Sequence, residues 1–303
     1  MEIQTPTLRN RINTLLLYVL NKFQYPILER FYRKPISVIA YANKIFNYTI
    51  KNNLGDDLNI DFIEYAFDVK TVKYEFSILA RRNKIPTFSF IGSVLEYVVN
   101  TNPNAIVWGT GFKFAENDFT YEDLKNLDIR AVRGPKTRDI LLAKGIDCPS
   151  VYGDPAILLS KFYTPQITPR RYKLGIIPHK DDFSNPIFDQ LSRSDDVIIL
   201  NLKKYESWQT FIDTMFSCDF IISTSLHGII IADSYSIPNM WITVSDLIEG
   251  GDFKYFDYYG GVSKQPLKKQ ISLDTSIDEI LSWKSLWVKP IISNSFIDSC
   301  PKF

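Results

Sequence analysis

Three hundred and three residues, 35.1 kDa, exceed what one hydrophobic core usually organises, about 250–300 residues, and so predict two domains. Apolar residues make up 45% and charged residues 23%, which excludes a disordered or fibrous chain; the longest aliphatic and aromatic run, Leu15–Leu20, falls far below the ~18 residues of a membrane span. A net charge of +1 excludes a global basic field for nucleic acid, and three scattered cysteines exclude a disulfide framework or zinc site, so a reduced, cytoplasmic chain without metal is expected.

Residues 1–34 are locally basic, with Arg9, Arg11, Lys22, Arg30, Arg33 and Lys34 against Glu2 and Glu29, 6 − 2 = +4. Leu8, Ile12, Leu15, Leu16, Val19 and Phe23 recur at helical spacing until Pro26 interrupts them; Ile27, Leu28 and Phe31 form a second short stripe. Asn21 and Lys22 stand where a secretory signal would place small residues. A basic amphipathic segment of this kind either packs on its own domain or lies on an anionic membrane surface, here the inner face of the cytoplasmic membrane.

Beyond it, short β-branched and aromatic runs alternate with helix-length segments. Residues 37–41, 87–90, 105–108 and 129–132 are the predicted strands of a first domain, 35–165. Residues 174–177, 197–200, 220–222 and 240–244 are those of a second, 166–303, with the proline-containing stretch 164–171 as linker. Strands separated by helices predict an α/β protein, two doubly wound parallel-sheet domains facing a cleft. The sequence has no internal repeat.

Ligands of such sheets bind beyond the carboxyl ends of the strands, and the polar and glycine-containing clusters fall there. Arg133-Gly134-Pro135 opens a helix bracketed by Gly145, so free amides and a guanidinium adjoin each other. Arg133 either clamps a carboxylate or phosphate or forms a structural ion pair, with Asp154 as the candidate partner. Ser223, Thr224, Ser225, Leu226 and His227 span a strand end and a helix start, where the helix dipole keeps an imidazole neutral until an anion arrives. His227 is then either a proton donor or a satisfied structural histidine. The other histidine, His179, also lies in a ligand-side loop. Asn53 and Asp56 in Asn53–Asp57 either bind an acceptor hydroxyl or cap the helix 58–67. Gly109-Thr110-Gly111 lacks the third glycine of a dinucleotide site, since position 114 is Phe. Lys254, beside the aromatic cluster Phe253, Tyr255, Phe256, Tyr258 and Tyr259, either reaches an anion or is solvated.

The ordered set NLGDD (53–57), IGSVLE (91–96), VWGTGF (107–112), AVRGPKTRDILLAKG (131–145), YGDPAILL (152–159), IIPHKDD (176–182) and CDFIISTSLHGIIIADSYSIPNMWI (218–242) resembles the polysaccharide pyruvyltransferase family, and Ser-Leu-His-Gly looks like its exopolysaccharide, ketal-forming branch. The resemblance implies a two-domain fold like that of B-type glycosyltransferases. It implies transfer of pyruvate from phosphoenolpyruvate, a substrate rather than a cofactor, to a sugar of a bacterial capsule or exopolysaccharide precursor, commonly lipid-linked. By position, Arg133 and Gly134 would hold the donor's carboxylate or phosphate, Ser223–Leu226 would wall its site, and His227 would be the general acid. Asn53, Asp56, Gly109 and Thr110 would face the acceptor. Ser225 stands where many members carry an arginine clamp; Lys254, or alternatively His179, is the candidate replacement. Two other readings stay open: a nucleotide-sugar glycosyltransferase, with Asp246 and Glu249 as its acidic candidates, and a non-catalytic glycan-assembly protein.

Overall fold

The computed structural model describes residues 8–46, 48–166, 171–245 and 250–303, with side chains from residue 15 onward; Asp246 and Glu249 lie outside these residues. The strands in chain order are β1 (Ile36–Val38), β2 (Asn43–Ile45), β3 (Tyr48–Ile50), β4 (Thr71–Lys73), β5 (Thr87–Ser89), β6 (Ile106–Trp108), β7 (Asp128–Ala131), β8 (Leu174–Ile177), β9 (Val197–Ile199), β10 (Ile221–Ser223), β11 (Asn239–Thr243) and β12 (Lys268–Gln270). The order β4-β1-β5-β6-β7 makes one parallel sheet and β9-β8-β10-β11-β12 the other. In each, the first strand in sequence lies between the second and the third, so one doubly wound order is used twice although the sequence shows no repeat. The chain is thus an α/β protein of two parallel-sheet halves, the glycosyltransferase-B-like class expected from its sequence.

All eight predicted strands are present; β8 matches at both ends and the other seven are shifted by one to three residues at one or both ends. They are legible because strands such as β1, β8 and β10 are buried on both faces and therefore read as largely apolar runs. Four strands escape that signal. β12 (Lys-Lys-Gln) and β4 (Thr-Val-Lys) are short, lysine-bearing edges of their sheets, and β2–β3 is a separate antiparallel pair.

Three devices bind the halves into one body. Helix 253–261 of the second half packs on helix 135–143 of the first. The segment 155–162 lies against helix 226–234. Residues 293–303 return to the first sheet, where Phe296 stacks on Trp108 at 5.0 Å and Phe303 meets Phe67 and Phe88. One apolar core, including Phe88, Trp108, Ile229 and Trp241, therefore runs through both halves.

Helix 8–31 continues through Pro26, where an interruption was expected. Its docked side is polar: Asn21, Gln24 and Glu29 are buried with Tyr25. The Gln24 amide donates to the Lys44 carbonyl (2.6 Å) and its carbonyl accepts from the Phe46 N–H (2.6 Å), while Glu29 accepts from the Ser77 hydroxyl (2.6 Å). The apolar residues point the other way, with Leu16 55%, Phe23 68% and Phe31 81% exposed. The helix is therefore docked on its own domain, as one of the two readings had it, but by its polar side rather than by the apolar stripe.

Candidate active site

In doubly wound sheets the crevice opens where the strand order reverses, between the first and third strands. In this chain those points are β1/β5 and β8/β10, and a cavity of about 460 Å³ lies between the two. The loop after β1 contributes Tyr41, the loop after β5 Ser93, the loop after β8 His179 and Lys180, and the turn after β10 Ser225, Leu226 and His227. Asn53 and Asp56 reach it from the start of helix 54–67, and Lys254 from the start of helix 253–261. Lys113 and Lys203 complete a wall that carries four lysines and one carboxylate. A larger cavity of about 840 Å³ beside β11 and β12 holds neither histidine, so the chemistry-bearing side chains belong to the smaller one.

Seven expected residues thus meet at one cavity: Asn53, Asp56, His179, Ser225, Leu226, His227 and Lys254. Asn53 also caps its helix, its side-chain carbonyl accepting from the Gly55 N–H at 3.1 Å, and that helix begins at Leu54 rather than at 58. Ser225 occupies the cap position of helix 226–234 but its side chain makes no capping bond.

The other six stand behind the wall. Ser223 donates to the Ile177 carbonyl (2.7 Å) and accepts from the Ser225 N–H (2.9 Å), which shapes the turn. Thr224 accepts from the His179 N–H at 2.7 Å and so ties the two loops together. Thr110 donates to the Gly92 carbonyl (2.9 Å) and shapes the Ser93 loop. Gly109, at φ +101°, lies under Pro155, whose Cδ would be 2.3 Å from any Cβ there.

Arg133 and Gly134 are the substantive correction. The guanidinium is fully buried: Nε (3.0 Å) and Nη2 (2.9 Å) meet the Asp257 carboxylate, Nη2 also donates to the Phe112 carbonyl (2.6 Å), and Nη1 donates to the Ser93 hydroxyl. The other Asp257 oxygen accepts the Thr137 N–H at 2.9 Å, so the amides at the start of helix 135–143 hold an anion already, one from this chain. A Cβ at Gly134 would fall 1.8 Å from the Asp257 carbonyl oxygen. Arg133 is therefore the structural ion pair of the two readings, and it reaches the cavity wall only through Ser93. Its partner is Asp257 and not Asp154, whose carboxylate accepts from the N–H groups of Gly92 (3.1 Å) and Ala156 (3.0 Å).

His227 is seated by two glycines. A Cβ on Gly55 would lie 1.9 Å from its Nδ1, and one on Gly92 3.6 Å from its Nε2. Burial, then the charges of Lys254, His179 and Arg133, push the imidazole down from 6.5 to about 3. Burial and Lys254 likewise push His179 down to about 4, although the Asp181 carboxylate is 3.2 Å from its Nδ1. Both rings are neutral at pH 7. Asp56 moves the opposite way: burial and neighbouring Asp57 raise it to about 7 against the pull of Lys180 and Lys113. Separated proton affinities of this kind mark acid–base sites.

The raised carboxyl makes a stability prediction. Between its unfolded value of 3.8 and about 7, the folded chain holds a proton that the unfolded chain has released, so Asp56 costs more stability as pH rises through that window. Asp56→Asn is expected to gain on the parent from about pH 4 to pH 7, read as a growing difference in denaturant midpoint. A pH-independent difference would mean an ordinary carboxylate.

Sequence reasoning missed Tyr41, Lys113, Lys180 and Lys203 in the wall and Asp257 behind it, and placed Ser93 and Gly55 in ligand-side clusters without giving either a role. Gly55 had a legible signal, since a glycine inside the first turn of an otherwise apolar helix marks a close approach. Single lysines in loops carry none.

The polysaccharide pyruvyl transferase family matches residues 46–246, which hold every wall residue named above except Tyr41 and Lys254. The chain belongs to this family, and its chemistry is transfer of a pyruvyl group to a polysaccharide. It is similar to uncharacterized protein L143 of Acanthamoeba polyphaga mimivirus, 31% identical over 245 residues that cover 78% of this chain and 82% of the relative. It is also similar to the succinoglycan biosynthesis protein ExoV of Rhizobium meliloti (strain 1021), 24% identical over 241 residues that cover 78% of this chain and 69% of the relative.

Proposed function

We propose that the chain transfers pyruvate from phosphoenolpyruvate to a sugar of a surface polysaccharide precursor and forms a cyclic ketal. The observation that carries this reading is the cavity itself, in which four lysines surround a neutral imidazole and one raised carboxyl. A small polyanion fits that charge. Its arrival does not relieve the burial that depresses His227 most, but it offsets the cations that add to it and favours a proton on the imidazole when the donor binds. His227 then protonates the methylene carbon, a role worth about 10²–10⁴ in rate. The central carbon becomes electrophilic, a sugar hydroxyl adds to it and gives up its proton to Asp56, phosphate leaves, and a neighbouring hydroxyl closes the ring. Of the two protons released by the hydroxyls, one replaces that spent on the methyl group and the other leaves with phosphate. Lys254, with Lys113, Lys180 and Lys203, supplies the charge that the arginine absent at position 225 would have given, as point charges rather than as a fork.

Incubation with phosphoenolpyruvate and a panel of lipid-linked sugars, followed by mass spectrometry, is expected to give an acid-labile pyruvyl adduct and free phosphate. Phosphate release without adduct, or no reaction across the panel, would overturn the reading.

A lipid-linked acceptor also suits the exposed side of helix 8–31, where Leu16, Phe23 and Phe31 stand beside Lys22, Arg30, Arg33 and Lys34. Among the described residues no helix is long and apolar enough to cross a membrane, so contact would be peripheral. Leu16→Glu with Phe23→Glu, both at exposed positions, is expected to abolish cosedimentation with anionic phosphatidylglycerol vesicles. Unchanged sedimentation would remove the helix from membrane contact.

A further inference from the structure

A second cavity, of about 510 Å³, lies between helix 8–31, the β2–β3 pair and the segment after β4. It adjoins the first: Asn52 lines both, and Tyr41 of the first stacks on Tyr97 of the second with ring centroids 4.9 Å apart and planes 11° apart. Tyr41 is 50% exposed, immediately beyond β1 at the reversal point of the first sheet. Tyr97 is held from behind, its hydroxyl donating to the Glu75 carboxylate. The groove is lined by both aromatic and amide groups. Tyr18 meets Phe76 edge-on at 5.4 Å, Lys73 donates to the Asn43 side-chain carbonyl at 3.2 Å, and the Asn21 side chain accepts from Gln24 at 2.5 Å. Fixed aromatic faces beside pre-ordered amides and charges match the two surfaces of a pyranose, its C–H face and its ring of hydroxyls.

We propose that this groove is an extended acceptor subsite for an oligosaccharide. Tyr41 stacks under the sugar that carries the reacting hydroxyls, and the following units lie along Tyr97, Asn43 and Tyr18. The inference rests on the pyruvyl-transfer reading and names its acceptor as longer than one sugar. Tyr18, Asn21, Tyr41 and Asn43 all precede residue 46, where the family match begins. A monosaccharide fills only the first cavity and forgoes the groove.

The test compares a hexose, its disaccharide and its trisaccharide (glucose, cellobiose and cellotriose, with the maltose and galactose series alongside) in wild type, Tyr41→Ala, Tyr41→Phe and Tyr18→Ala. Wild type is expected to show a falling acceptor KM with chain length. Loss of one stacked ring is worth a factor of about 3–10, so Tyr41→Ala raises acceptor KM by that factor at every length. Tyr41→Phe keeps the stacking face and with it the wild-type acceptor KM, and Tyr18→Ala raises KM for the trisaccharide but not for the monosaccharide. Acceptor KM values independent of length, or a change in donor KM in Tyr18→Ala, would overturn the proposal. Should no transfer occur with any acceptor, the functional reading fails on its own. The groove is then judged by saturation-transfer NMR of the same trisaccharides: binding to wild type that weakens in both alanine variants upholds it, and no binding across the panel refutes it.

Discussion

Truncation of Arg133 to alanine is expected to cost about 3–5 kcal/mol of folding stability, because it leaves the Asp257 carboxylate buried without its counter-charge. Three groups depend on that guanidinium through four contacts: Asp257 twice over, the Phe112 carbonyl and the Ser93 hydroxyl. The loss is measured as a lowered denaturant midpoint. Arg133→Met combined with Asp257→Leu is expected to recover most of it, since two apolar groups of similar volume replace a buried ion pair at little net cost. A donor clamp would behave in the opposite sense: the single variant would keep its stability and lose phosphoenolpyruvate binding, and the double variant would rescue nothing.

The second large effect concerns His227. His227→Asn is expected to lower kcat by about 10²–10⁴ while phosphoenolpyruvate still binds, since the lysines that attract the donor are untouched. Near-normal turnover in that variant would take His227 out of the chemistry. Gly55→Ala supplies an independent route to the same loss. A methyl group there would lie 1.9 Å from Nδ1, so the ring must move, although alanine is by itself the better helix former by about 1 kcal/mol. Gly55 acts by positioning, and its variant is expected to combine a fall in kcat with a displaced His227 ring signal in NMR, at unchanged donor KM. An unshifted imidazole signal with unchanged kcat would show that the seat is not needed.

What was legible in the sequence follows from range. Strands buried on both faces are local apolar runs, and the loops after them hold the residues that line the cavity, so His179, Ser225 and His227 could be placed without coordinates. Arg133 could not, because its partner lies 124 residues away in a segment that reads as an aromatic cluster, and an aspartate among tyrosines has no local sign that it closes a distant ion pair. Helix 8–31 shows a related limit. Periodicity finds the apolar stripe of Leu15, Leu16, Val19 and Phe23 but not which side is docked; that depends on whether Gln24 and Glu29 meet partners such as Lys44 and Ser77. β4 and β12 were invisible for a third reason, since an edge strand with one neighbour needs no apolar run.

The return of residues 293–303 to the first sheet has a consequence for biosynthesis. Trp108 receives its stacking partner Phe296 from the C-terminal segment and its hydrogen-bond acceptor Ser299 from 191 residues downstream, and Gly153 is covered by the Phe296 ring. Arg133 likewise waits for Asp257. The half that leaves the ribosome first therefore cannot close its interior while translation continues, and a nascent chain stalled before residue 257 would present Trp108 and an unpaired guanidinium to chaperones rather than a finished domain.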